Sequence, residues 1–192
     1  MSRIPPLNVE QLAPPAREAL AAAEELMGFT ANDALILARN PALMQAVSSL
    51  VQAVYAPGEV ANSLKRMVGL MTSTAAGCRY CMAHTALSSR EFGVDDEKLR
   101  EIWHFETSEK FTAAERAALR VALHAGQSPS GVTDDMFAEL EPHFTVDAQL
   151  ELVAVIAMFG FLNRWNATLA TDVESRPAEA LASVEQVSSG DE

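Results

Sequence analysis

From Val60 onward the apolar residues fall at Val60, Leu64, Met67, Val68, Met71 and Ala75. That spacing returns to one side of a helix at every turn. A helical period runs through nearly the whole chain, and no stretch alternates apolar and polar residues as a half-buried strand would. A chain patterned this way buries its stripes helix against helix, so the expected fold class is all-α, a single-domain helical bundle. Its 192 residues suffice for one substantial core.

Local signals divide this pattern into elements. Pro14-Pro15 opens a helix to about Met27. Thr30-Ala-Asn-Asp33 has the form of a capping box, and Asn40-Pro41 reads as N-cap and first residue of a helix to about Val54. Gly77 interrupts the Val60 helix, and the next runs from Cys78 to about Phe92, stopped by Gly93. Asp95 or Asp96 restarts a helix through Trp103. Thr112-Ala-Ala-Glu115 is a second capping box, for a helix ending near Gly126. Thr133 opens a short helix, and Thr145 or Asp147 opens the last long one, to about Ala170. Its apolar run Val153 to Leu162 is short for a bilayer span and fits a buried helix. The domain is expected to cover 1–174. Residues 175–192, rich in Ala, Glu and Ser, are expected as a flexible tail ending in the mobile Ser188–Glu192.

Charge and cysteines narrow the function. Fourteen Lys and Arg against 26 Asp and Glu leave a net charge of −12, which argues against nucleic-acid and anionic-membrane partners. Met1 to Pro6 does not read as a secretory signal, and the expected location is the cytoplasm. The two cysteines, Cys78 and Cys81, form a single C-x-x-C. In a reducing compartment such a pair points to redox or metal chemistry rather than a structural disulfide.

Three readings of Ala76-Gly77-Cys78-Arg79-Tyr80-Cys81-Met82-Ala83-His84-Thr85 compete. In the redox reading, thiols three residues apart share one helix face. A helix N-terminus and Arg79 favour thiolate at Cys78, while His84 stands ready to move a proton near Cys81. In the metal reading, Cys78, Cys81 and His84 supply three ligands where a structural zinc site needs four; no metal or other cofactor is expected. In the structural reading, both cysteines are small buried hydrophobes.

These residues carry a family likeness. The helix Ser63–Ala76 leading into Gly77-Cys78-Arg79-Tyr80-Cys81 and then Ala83-His84-Thr85-Ala86-Leu87 resembles the carboxymuconolactone decarboxylase / alkylhydroperoxidase D superfamily. The stretch Phe159-Gly-Phe-Leu-Asn163-Arg-Trp-Asn166 resembles a C-terminal segment of one of its branches. The motif core is 41–93, with a weaker match to about Glu174. The resemblance implies an alkylhydroperoxidase D-like helical fold, homo-oligomers such as trimers or hexamers, and a thiol-dependent peroxidase (peroxiredoxin-type) activity. It also implies a Cys78–Cys81 dithiol/disulfide cycle, a small hydroperoxide substrate, and electrons from a lipoyl group or thioredoxin-like protein. Two positions depart from the peroxidase members. Arg66 stands where they carry a relay glutamate, and His84 comes one residue earlier than their histidine, about 100° around a helix.

The catalytic candidates are therefore Cys78, Cys81 and His84, with Arg66, Arg79, Tyr80, Asn163 and Asn166 as candidate supporting residues. Position at a helix start favours Cys78 as attacking thiol, and proximity to His84 favours Cys81. Two rival functions remain: a muconolactone-type decarboxylase or isomerase, and a non-catalytic oligomeric helical binding protein.

Overall fold

A computed structural model describes residues 1–185. After a 3-10 turn at Val9–Gln11, the helices are α1 (Pro14–Met27), α2 (Asn32–Leu37), α3 (Pro41–Val54), α4 (Asn62–Ala75), α5 (Arg79–Glu91) and α6 (Asp96–Arg100). Then come α7 (Ala113–Ala125), α8 (Asp134–Ala138), α9 (Val146–Leu169) and α10 (Ser175–Glu185). The described residues contain no strand. The architecture is all-α.

Helix α4 is the centre of the bundle, packed on α5, α7 and α9. Met67, Val68, Leu70 and Met71 are almost fully buried between Leu119 of α7 and Leu152 and Val155 of α9. The close approach of α9 is permitted by Gly69: a Cβ there would lie 2.5 Å from Phe159 Cε2. Lys65, 2% exposed, ends in this core. Its ammonium pairs with Glu151 at 2.8 Å and donates to the carbonyls of Val54 and Ala56 at 3.0 and 3.1 Å. A smaller cluster, around Leu12, Leu20, Leu35, Met44 and Val47, seats α1 to α3 against Leu162 and Trp165.

Most expected caps form. Asn40 Oδ1 accepts from Leu43 N–H at 3.1 Å, Thr112 and Glu115 make their reciprocal box, and Thr133 and Thr145 cap α8 and α9. The box expected at Thr30 does not form. Its hydroxyl donates to Glu24 at 2.6 Å, α2 starts at Asn32 behind Ala31, and Asp33 is engaged elsewhere. Helix α9 is, by length and composition, able to cross a membrane. Here one face is a core face bearing Leu152, Val155, Met158 and Phe159, while Val146, Leu150, Val153 and Phe161 remain exposed.

The expected flexible tail is corrected at its start. Residues 175–185 form α10, which packs on α5 through buried Pro177, Ala180, Leu181 and Val184. Alanine and leucine at helical spacing outweigh the polar composition that suggested a tail. Ser188–Glu192 lies outside the described residues.

Candidate active site

The turn between α4 and α5 sets the thiols. Gly77 takes φ +67°, a left-handed conformation open to glycine. Cys78 N–H reaches back to Ser73 O at 3.0 Å, closing α4 in a Schellman-type end. The chain then reverses, and Cys78 becomes the N-cap of α5. Cys81 follows one turn on, and both thiols are free and buried.

The pair behaves as one titrating unit. The Cys81 thiol donates toward Cys78, and against the cost of burial the nearby backbone N–H groups of Cys81 and Tyr80 also favour its charge. The Cys78 thiol is held below its ordinary value. The same bond, burial and the Cys78 charge push Cys81 up. A second negative charge in so small a space is strongly disfavoured.

Cys81 opens on a cavity of about 170 Å³ shared with Asp33, Tyr55, Arg66, His84 and Asn166 and walled by Val51, Met158, Phe159 and Leu162. Asn166 Nδ2 lies 3.6 Å from Cys81 Sγ and 3.4 Å from Asp33 Oδ2. Tyr80, Asp33, Glu174 and His84 form one connected network. The Tyr80 hydroxyl accepts from Asp33 N–H at 3.2 Å and has two carboxylate acceptors for its single proton, Asp33 Oδ1 at 3.1 Å and Glu174 Oε1 at 3.0 Å. Burial and both carboxylates hold that phenol protonated. Glu174 bonds His84 Nε2 at 2.6 Å and accepts from Asn32 N–H at 2.5 Å. Burial opposes its ionisation, but His84 and the backbone donors outweigh burial and lower its pKa. The imidazole is stacked on Tyr80, ring centroids 4.2 Å apart, with Phe29 edge-on at 5.4 Å.

The structure thus gathers Cys78, Cys81, His84, Tyr80, Arg66 and Asn166 into one site, and separates two of the sequence candidates from it. Arg79 points outward, its side chain 69% exposed and paired with Glu185 at 3.1 Å. A residue one step past an N-cap faces away from the turn that buries the cap, so Arg79 supplies no local charge to the thiols. Asn163 lies three residues before Asn166 but lines a different cavity, of about 550 Å³, beside Thr72, Gly126 and Gln127. Its amide makes no hydrogen bond there. Sequence reasoning missed Asp33, read as a capping residue, and Glu174, which stood at the edge of the resembling stretch. Tyr55 carried no signal. Among the described residues no three His, Cys, Asp or Glu side chains converge to hold a metal.

Comparison with known proteins follows the same outline. The carboxymuconolactone decarboxylase family model matches residues 41–124, which contain both thiols and His84 but not Asp33, Asn166 or Glu174. The uncharacterised Escherichia coli K12 protein YnjA is 30% identical over 92 residues, 48% of this chain and 50% of that protein. The chain therefore aligns with about half the length of that curated relative. Among solved structures, the debrominase Bmp8 superposes with a TM-score of 0.88 at 32% identity, covering 95% of this chain and 97% of that one. It was crystallised both empty and, as a cysteine-to-alanine variant, with 2,3,4-tribromopyrrole. A peroxidase-related protein of Ralstonia eutropha JMP134 with an alkylhydroperoxidase AhpD core superposes with a TM-score of 0.82 at 23% identity, covering 92% and 94% of the two chains.

Proposed function

The chain belongs to the carboxymuconolactone decarboxylase family, and from that premise we propose that it is an oxidoreductase that reduces a small hydroperoxide through Cys78 and Cys81. One observation carries the reading. The two free thiols sit together at the start of α5, with Cys81 facing the cavity and Cys78, whose ionisation is favoured, beside it.

In the reduced protein the Cys78 thiolate takes the Cys81 proton as the Cys81 sulfur attacks the peroxide. The O–O bond breaks, Cys81 becomes a sulfenic acid, and the departing alkoxide takes the proton now on Cys78. The restored Cys78 thiolate attacks the sulfenic sulfur and forms the disulfide. The displaced hydroxide leaves as water on a proton supplied by His84, whose half-buried ring connects the cavity to Glu174. The sum is hydroperoxide plus two thiols giving alcohol, water and a disulfide. A dithiol partner, a lipoyl group or a thioredoxin-like protein, returns the electrons. That cycle suits the reducing cytoplasm, and the exposed apolar face of α9 suits contact with further copies of the chain.

The test is one equivalent of hydroperoxide added to reduced protein, followed by intact mass and peptide mapping. Loss of two hydrogens with Cys78 linked to Cys81 is the expected result. Unreacted protein, or over-oxidation of a single cysteine, would sink the two-thiol mechanism.

The likeness to a debrominase over nearly the whole chain favours one second reading, reductive dehalogenation by the same pair. Cys81 would take the halogen from an aryl halide whose carbon gains a proton, and Cys78 would then displace halide as the disulfide forms. Halide release measured by ion chromatography, with the arene recovered one halogen poorer, separates it from peroxide reduction.

A further inference from the structure

Arg66 occupies an unusual setting. Its guanidinium lies against two aromatic rings, 3.4 Å from the Tyr55 centroid and 4.3 Å from that of Phe92. A guanidinium packed on aromatic rings presents its N–H donors at the edge of its plane, the geometry that meets a carboxylate or a similar acceptor in a fork. No salt bridge to Arg66 occurs among the described residues, and its buried Nε has no hydrogen-bond partner. Glu91, the carboxylate whose field reaches it, is already bonded to Arg176 at 2.7 Å. The Tyr55 hydroxyl beside it is likewise buried and interacts with no group but Arg66 itself. Burial disfavours the Arg66 charge and the ionised Tyr55 phenol alike, and their attraction for each other offsets only part of that cost. A half-buried guanidinium with an unpartnered Nε and a buried hydroxyl with no acceptor of its own, both lining the cavity that Cys81 faces, are costly unless something supplies acceptors there.

We propose that Arg66 and the Tyr55 hydroxyl anchor the acidic group of a small planar organic anion, so that its reducible end meets Cys81. This names the substrate class of the active site and rests on the two-thiol reading. Size, shape and charge point the same way. A cavity of about 170 Å³ takes one ring and its substituents. Val51, Met158, Phe159 and Leu162 supply apolar wall for a ring. The cavity carries both signs of charge: Arg66 lines it, and Asp33 lies on its wall with Asn166 between it and Cys81. Asp33 repels the acidic group from the thiol, so the anion enters in one orientation. The net charge of −12 repels anions at long range, so selectivity for an anion must come from this local cation.

Benzoate and benzamide, alike in shape and differing in charge, are the probes. Titrated calorimetrically into the reduced wild-type protein at pH 7, benzoate is expected to bind about ten-fold tighter, the effect of one charge-assisted pair. Arg66→Met erases the preference, Arg66→Lys retains part of it, and Tyr55→Phe weakens it. Benzoate binding no tighter than benzamide, or a preference that survives Arg66→Met, overturns the proposal. If Arg66→Met fails to fold, the wild-type ratio alone decides. Because binding needs no turnover, a benzoate preference in a protein that forms no disulfide with peroxide would leave the anion site standing and remove the peroxidase reading. Disulfide formation without the preference would do the reverse.

Discussion

Replacing Glu174 with alanine tests whether the segment before α10 is held to the thiol helix by the network described above. The native carboxylate meets His84 Nε2 at 2.6 Å, Asn32 N–H at 2.5 Å and the Tyr80 hydroxyl at 3.0 Å. Its side chain is 11% exposed, so water cannot freely replace those partners. Hydrogen bonds to a charged group contribute about 1.5–3 kcal/mol each. Tyr80 keeps Asp33 as an acceptor and His84 reaches solvent, so the three do not add in full, and the expected loss is about 3 kcal/mol. In a chain of this length 1 kcal/mol moves the melting temperature by about 2–4 °C, so Glu174→Ala melts about 6–12 °C lower at pH 7.

Glu174→Gln removes the charge and keeps the shape, which isolates the pH dependence. Because the folded carboxyl has a lowered pKa, its stabilisation is complete above the unfolded value near 4.3 and is lost as pH falls through the folded value. The stability gap between wild type and this variant is therefore present at pH 7 and closes on acidification through about pH 4. Calorimetric melts across that range measure both effects. A melting shift under about 2 °C for the alanine variant, or a gap that stays constant or widens on acidification, refutes the reasoning.

Three further outcomes follow from the geometry. Thiolate absorbance near 240 nm reports ionisation of Cys78: Cys81→Ala moves it to higher pH because the S–H donor is lost, whereas Cys81→Ser, which retains a donor, moves it less. Lys65→Met leaves two carbonyls and Glu151 without their ammonium and lowers stability in urea denaturation by about 2–4 kcal/mol. Gly69→Ala forces its new methyl against the Phe159 ring and costs about 1–3 kcal/mol by the same measurement.

The helices and the thiol turn were legible in local sequence because their causes are local. Periodic apolar residues, Thr112 with Glu115, Asn40 before Pro41, and Gly77 before Cys78 each act within one or two turns of the chain. The thiol pair and His84 were legible for the same reason, being compressed into seven residues. Misreadings arose where two local explanations competed. Asp33 fits a capping box three residues after Thr30, yet its carboxylate bonds Tyr80, 47 residues away. Residues 175–185 look polar enough for a tail, yet their apolar positions meet α5 at helical spacing.

The sequence by itself determined that this chain is helical, that its two sulfurs sit together at a helix start, and that an arginine, Arg66, rather than a carboxylate stands twelve residues before Cys78. Only the tertiary structure decided where carboxylates lie instead. Asp33 arrives from α2, and Glu174 arrives from a segment 94 residues beyond Tyr80. The packing of α9 and α10 on α5 also decided that Asn166 faces the thiol while Asn163 does not, and that Arg79 turns to solvent. The physical reason is range: capping, periodicity and turn conformation are set by neighbours along the chain. Which polar groups share a buried pocket is set by which helices pack, and no spacing in the sequence encodes that.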